Sequence, residues 1–141
     1  MPLTYRGCGV QFMYPDNWSL LEQEEPIATV TIESPLGAFF SVSRYPGVTD
    51  PQHAIDQAVG AMQGEYDPME VLPFADPQGF VAEKGVELSF YYLDLLISSR
   101  LLAMVDRGDV LLIQIQGENR DFDEQEPVFL AMLKTLRDSI R

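Results

Sequence analysis

Apolar and polar residues alternate along most of this chain and switch to a helical spacing only twice. Gly9 to Tyr14 alternates and reads as a first strand. Pro15-Asp16-Asn17 is turn chemistry, since proline presets φ and Asp and Asn tolerate turn conformations. Trp18 to Leu21 is a short extended piece, and Glu22 to Pro26 is an acidic, exposed loop. Ile27 to Glu33 is rich in β-branched residues. A turn at Ser34-Pro35-Leu36-Gly37 returns the chain as Ala38 to Tyr45, so the two segments are predicted to form an antiparallel hairpin. Asp50-Pro51 opens a helix, with Asp50 as N-cap and proline at the first helical position. Ile55, Ala58, Val59, Met62 and Tyr66 make one buried stripe, and Pro68 prevents continuation. Glu70 to Ala75 is predicted as an edge strand, because Pro73 cannot donate to a ladder. Phe80 to Gly117 is almost wholly strand-like. In the closing helix Asp123 and Glu126 have capping-box spacing, and Phe129, Met132, Leu133, Leu136 and Ile140 form one apolar stripe. Arg137 and Arg141 suit its C-terminal end, and Pro127 is placed in its first turn.

Turn chemistry also predicts register. With Arg107-Gly108 as a two-residue turn, Met104 faces Leu111 and Leu102 faces Ile113, so Leu102, Met104, Leu111, Ile113 and Ile115 form a core face. Ser99, Leu101, Ala103, Leu112, Gln114 and Gln116 form a mixed face. For the preceding turn, near Asp94, a three-residue loop (Asp94-Leu95-Leu96) is expected. It pairs Phe90 with Arg100 and puts Val86, Leu88, Phe90 and Tyr92 on the core face. A shorter loop would set Glu87 opposite Leu102 and bury an unpaired carboxylate. Glu87, Ser89 and Tyr91 then join the mixed face.

Length and composition narrow the class. The chain has 141 residues, 46% hydrophobic and 22% charged, which suits one domain over residues 1–141 and argues against intrinsic disorder. Nine Lys and Arg stand against 22 Asp and Glu, a formal charge of -13 that repels phosphate backbones, so no nucleic-acid partner is expected. No apolar run is long enough for a signal-peptide core or a membrane span, so no membrane partner is expected. The single cysteine, Cys8, cannot form an internal disulfide, in agreement with a reducing cytoplasm.

Chemistry is sparse. There is no Walker-type loop, and Gly7-Cys8-Gly9 has Phe12 where a dinucleotide fingerprint needs its third glycine. One Cys and one His cannot make a standard zinc set, so no metal or other cofactor is expected. Asn119-Arg120-Asp121-Phe122-Asp123 has the opening of an EF-hand loop, but Glu124 and Leu130 occupy its glycine and bidentate-glutamate positions, which favours helix capping. His53, in a first helical turn, and Cys8 are a poor catalytic pair. Asp106 and Asp109 read as turn residues, and Tyr14, Trp18, Phe39 and Phe40 as core. Glu22, Glu24 and Glu25 read first as a solvated loop; their functional reading is a docking site for a Lys/Arg-rich partner.

The order of elements completes the picture. Gly9-Val10-x-Phe12-x-Tyr14-Pro15-x-x-Trp18 resembles the opening of the PsbP/Mog-type superfamily, which includes DcrB-like proteins and Eag-type secretion chaperones. A helix after two strands, a long antiparallel meander, and a final helix ending Phe129-x-x-Met132-Leu133-x-x-Leu136-Arg137 are similar too. The resemblance implies an α+β fold, an α/β/α sandwich around a mainly antiparallel sheet, here of six or seven strands with two principal helices. It carries across no catalytic residues. Its members support photosystem II, bind a small GTPase, or hold hydrophobic effector segments on a sheet surface, the last commonly as dimers. The expectation is therefore a non-enzymatic protein-binding module, a chaperone or adaptor. Tyr91, Ser99, Leu101, Leu112, Gln114 and Gln116 on the mixed face would meet a partner that is basic or carries an exposed apolar segment. The alternatives are a carboxylate-based hydrolase or metal-dependent enzyme, and a structural homo-oligomer; a homodimer stays open.

Overall fold

In the computed structural model, which describes residues 1–74 and 84–140, a seven-stranded sheet separates one helix from a second layer made of a helix and a two-stranded hairpin. The hairpin is β1 (Leu3–Gly7) and β2 (Val10–Tyr14). The chain continues through β3 (Ser19–Gln23), β4 (Thr29–Glu33), β5 (Phe39–Tyr45), α1 (Pro51–Glu65), β6 (Met69–Pro73), β7 (Lys84–Tyr92), β8 (Leu95–Asp106), β9 (Asp109–Glu118) and α2 (Asn119–Ser139). The large sheet runs β3-β4-β5-β9-β8-β7-β6, antiparallel throughout. Of the sequence expectations, Ala75, the residues from Phe80 to Glu83, and Arg141 lie outside the described residues.

Several elements form as their local chemistry dictates. Asp50 caps α1 by accepting from the Gln52 amide at 3.0 Å, ahead of Pro51. Ile55 and Ala54 are the buried centre of α1, with Ala58, Val59 and Met62 half-buried beside them. β6 is an edge, as Pro73 requires. Met104 faces Leu111 and Leu102 faces Ile113 across the Arg107-Gly108 turn.

Four expectations need correction. First, Leu3–Gly7 is a strand: Cys8 (φ 52°) and Gly9 (φ 73°) make a two-residue turn that folds it back onto β2. Second, Glu22 and Gln23 belong to β3 rather than to a loop. Third, α2 begins at Asn119, and its cap is Glu118, whose Oε2 accepts from the amides of Arg120 and Asp121. Asp123 and Glu126 are thus helical, and Pro127 lies inside the helix rather than in its first turn. Fourth, the β7–β8 loop has two residues, Leu93-Asp94, so Tyr92 pairs with Leu95, Phe90 with Ile97 and Glu87 with Arg100. The carboxylate feared as unpaired meets a guanidinium. Val86, Leu88 and Phe90 consequently share a face with Leu101, and Tyr91 lies on the opposite face.

Two cores result, one on each side of the sheet. On the α2 side, Phe40, Ile32, Val30, Val42, Leu111, Ile113 and Ile115 meet Phe122, Phe129, Met132, Leu133 and Leu136 of α2 and Tyr5, Val10 and Phe12 of the hairpin. On the α1 side, Leu88, Leu101, Ala103, Val110 and Leu112 meet Ala54 and Ile55. The hairpin is tied at both ends. Along α2, the amides of Gln11 and Met13 donate to Ser139 Oγ (3.2 Å) and Thr135 Oγ1 (3.0 Å). At its turn, Arg44 Nε donates to the Cys8 carbonyl at 2.6 Å, and Arg107 donates to the Gly9 carbonyl. Arg44 is held in turn by Asp106 (2.6 Å) and Asp109 (3.0 Å), so these turn carboxylates also join two hairpins. A Cβ on Gly9, at positive φ, would stand 2.8 Å from Arg44 Nη2, so no side chain fits there without displacement.

Candidate functional site

The α1-side face of the sheet is covered over half its width. Among the described residues, α1 packs across β7, β8 and β9. The ladders carry the same face on from Gln114 to Ser41 and Thr31 and then to Leu21, from Leu112 to Ser43 and Thr29, and from Gln116 to Phe39. The result is an open floor beside α1 made of hydroxyls, amides and a few apolar groups. Thr29 Oγ1 and Ser43 Oγ are 3.0 Å apart, Gln114 Nε2 donates to Gln116 Oε1 at 3.0 Å, and Gln114 also meets Met62 Sδ of α1 at 3.8 Å. Thr29, Thr31, Phe39 and Ser43 are half-buried, and Leu21 is 61% exposed at the rim. This floor offers hydrogen bonds and apolar contact, and Glu33, the ladder partner of Phe39, adds one exposed carboxylate at its end.

The expected binding residues divide accordingly. Ser99 (2% exposed), Leu101 (1%) and Leu112 (7%) lie beneath α1, where no partner reaches them in this structure. Gln114 and Gln116 are half-buried where α1 gives way to the open floor. Tyr91 is 71% exposed on the other side of the sheet, so it cannot join them in one surface. Sequence reasoning passes over Leu21, Thr29, Thr31 and Ser43, and Phe39, expected in the core, is instead half-buried on this face, because it alternates with Phe40, which takes the core side. The signal was present: with Val30, Ile32, Phe40 and Val42 facing a core, the alternating Thr and Ser positions had to face the other way.

The acidic candidates also separate. Glu24 and Glu25 are exposed beyond the end of β3, while Glu22 accepts a hydrogen bond from the Tyr5 hydroxyl at 3.0 Å. Burial, then contact with Cys8 and Glu22, holds the Tyr5 phenol above its ordinary pKa. Cys8 sits in the hairpin turn on the α2 side and His53 is exposed on α1, so the large sheet lies between them. Asn119 to Asp123 are the first turns of α2 rather than a loop. Asp121 is buried there with no hydrogen-bond partner for either carboxylate oxygen, next to the positive end of the helix dipole. Among the described residues, no group of three or more His, Cys, Asp or Glu side chains could hold a metal ion. No helix among them is long and apolar enough to cross a membrane.

No protein-family model matches the chain, and no curated protein matches it. Solved structures do. The chain is similar to PA94 of Pseudomonas aeruginosa, a protein of unknown function, at TM-score 0.56 and 16% identity over 96% of this chain and 95% of that one. It is similar to the cyanobacterial PsbP protein CyanoP of Synechocystis at TM-score 0.60 and 12% identity over 95% of this chain and 90% of that one. At these identities the likeness speaks for architecture alone. Matched to these structures over nearly its whole length, the chain, with its antiparallel seven-stranded sheet, two-stranded hairpin and two helices, has the PsbP-like fold.

Proposed function

We propose that this chain is a non-enzymatic protein-binding module, a small chaperone or adaptor, and that the open floor of β3, β4, β5 and β9 receives its partner. The observation that carries this reading is the uncovered half of the α1-side face, where Thr31, Gln114 and Gln116 lie beside the wall formed by α1. Its side chains suit the backbone and mixed side chains of a polypeptide, and they supply nothing that titrates near neutral pH to move a proton. The exposed Glu24 and Glu25 at the rim favour a basic partner.

The test is affinity capture from the native host with wild-type protein, Thr31→Arg and Tyr91→Ala, each checked for unchanged thermal unfolding. A captured protein is then purified and its affinity measured directly. The reading requires that Thr31→Arg lose the partner and Tyr91→Ala keep it. Equal retention by Thr31→Arg would remove the floor as the binding surface.

A further inference from the structure

The edge of the large sheet at β3, which borders the open floor, carries a second inference that concerns its backbone rather than the floor's side chains. β3 pairs only with β4, and all five of its residues are exposed. Among the described residues, no other backbone group bonds to residues 19–23. Its outer row of N–H and C=O groups is therefore available to another strand. Sheets usually blunt such edges with proline, lysine, a bulge or a covering element. β6, at the other edge, has Pro73, and the edge amides of β2 are taken by Thr135 and Ser139. β3 has neither Pro nor Lys, and its five pairs with β4 run without a bulge. It also presents Leu20 and Leu21, one to each face, 37% and 61% exposed.

Charge selects the occupant. Between Arg6 and Arg44 the chain holds no Lys or Arg, while Asp16, Glu22, Glu24, Glu25 and Glu33 all fall in that stretch. β3 and its neighbouring strand β4 are thus set in a purely acidic segment. A second copy would bring the same acidic strand and a further -13. We propose that β3 is a docking edge for an extended segment of a partner protein in which Lys or Arg alternates with apolar residues, added to the sheet by backbone hydrogen bonds. The ladder supplies affinity, the carboxylates select basic side chains, and Leu20 and Leu21 contact the apolar ones.

The experiment titrates the intact protein with a fluorescein-labelled KVRVKVRV peptide, with EVEVEVEV as the charge control. Two further peptides carry backbone N-methyl groups on one or the other alternating set of residues. Only one set can face β3, so one methylated peptide should bind about tenfold or more weaker and the other within about twofold of the parent. Glu24→Lys/Glu25→Lys should weaken the parent peptide by a similar factor, and Tyr91→Ala, on the opposite face of the sheet, should leave it unchanged. Equal binding of all the basic peptides would reduce the effect to charge alone and overturn the proposal. So would absence of saturable binding, or loss of binding in Gln114→Arg at full strength in Glu24→Lys/Glu25→Lys, which would return the site to the open floor. A wild-type dimer with its β3 amides protected from exchange would make a second copy the occupant and also overturn it.

Discussion

Arg100 and Glu87 face each other across β8 and β7, with Nε 3.0 Å from Oε1. The same guanidinium reaches Glu126 of α2 at 2.5 Å and lies over the rings of Phe74 (4.6 Å) and Phe122 (5.0 Å). One side chain thus joins two strands, a helix and two aromatic residues. Arg100→Ala should destabilise the fold by about 1–3 kcal/mol, since it removes two ion pairs and both cation–π contacts from a side chain that is largely buried. Urea denaturation measures this, and an unchanged midpoint would show the pairs to be incidental.

Leu93 occupies a left-handed backbone position (φ 51°) while 78% exposed, and Asp94 follows at φ 64°. Such a turn favours Asn-Gly. Leu93→Asn/Asp94→Gly should therefore stabilise the protein by about 1 kcal/mol or somewhat more, read as a higher thermal midpoint. A lower midpoint would mean that these side chains make contacts worth more than the backbone relief.

Leu101 and Tyr91 separate burial from exposure within one pair of strands. Leu101→Ala should cost about 2–5 kcal/mol because it opens a cavity under α1, whereas Tyr91→Ala should stay within about 0.5 kcal/mol. Denaturant titration of both variants decides the matter. Similar costs would contradict the face assignment.

Asp109 accepts from the Gly47 amide at 3.0 Å and pairs with Arg44, and these contacts hold its carboxyl below the ordinary 3.8. A carboxyl depressed in the folded state stabilises above its unfolded value and loses that contribution as pH falls through the folded one. Asp109→Asn should therefore be less stable than wild type at neutral pH, with the gap narrowing below pH 3.8. Stability curves measured across the acid limb test the sign, and a constant gap would assign the loss to packing.

What the sequence disclosed depended on how local the deciding interaction was. Arg107-Gly108 sets its own hairpin, so the β8–β9 register was legible. Leu93-Asp94 lacks a glycine, and its register rests on Arg100 facing Glu87, a pairing that appears only once β7 and β8 are aligned. β1 was missed because Leu3 and Tyr5 offer a short alternation and the positive-φ turn contains a cysteine. α2 was started late because Asp123 and Glu126 imitate a capping box, while Glu118 caps the helix actually formed. The mixed polarity of the α1-side face was legible from β8 and β9. How far α1 extends over it is a matter of tertiary placement, which strand periodicity does not encode.

The hydroxyls of Thr135 and Ser139 also set an order of events. Each accepts an amide from β2 and donates to a carbonyl of its own helix, Met132 at 2.8 Å and Leu136 at 2.6 Å. These bonds span 122 and 128 positions of sequence. During synthesis the hairpin leaves the ribosome early, yet its edge stays unfinished until α2 has been made. Completion of this layer therefore waits for the synthesis of α2, and a ribosome stalled before α2 presents β2 as an open edge to whatever binds nascent chains.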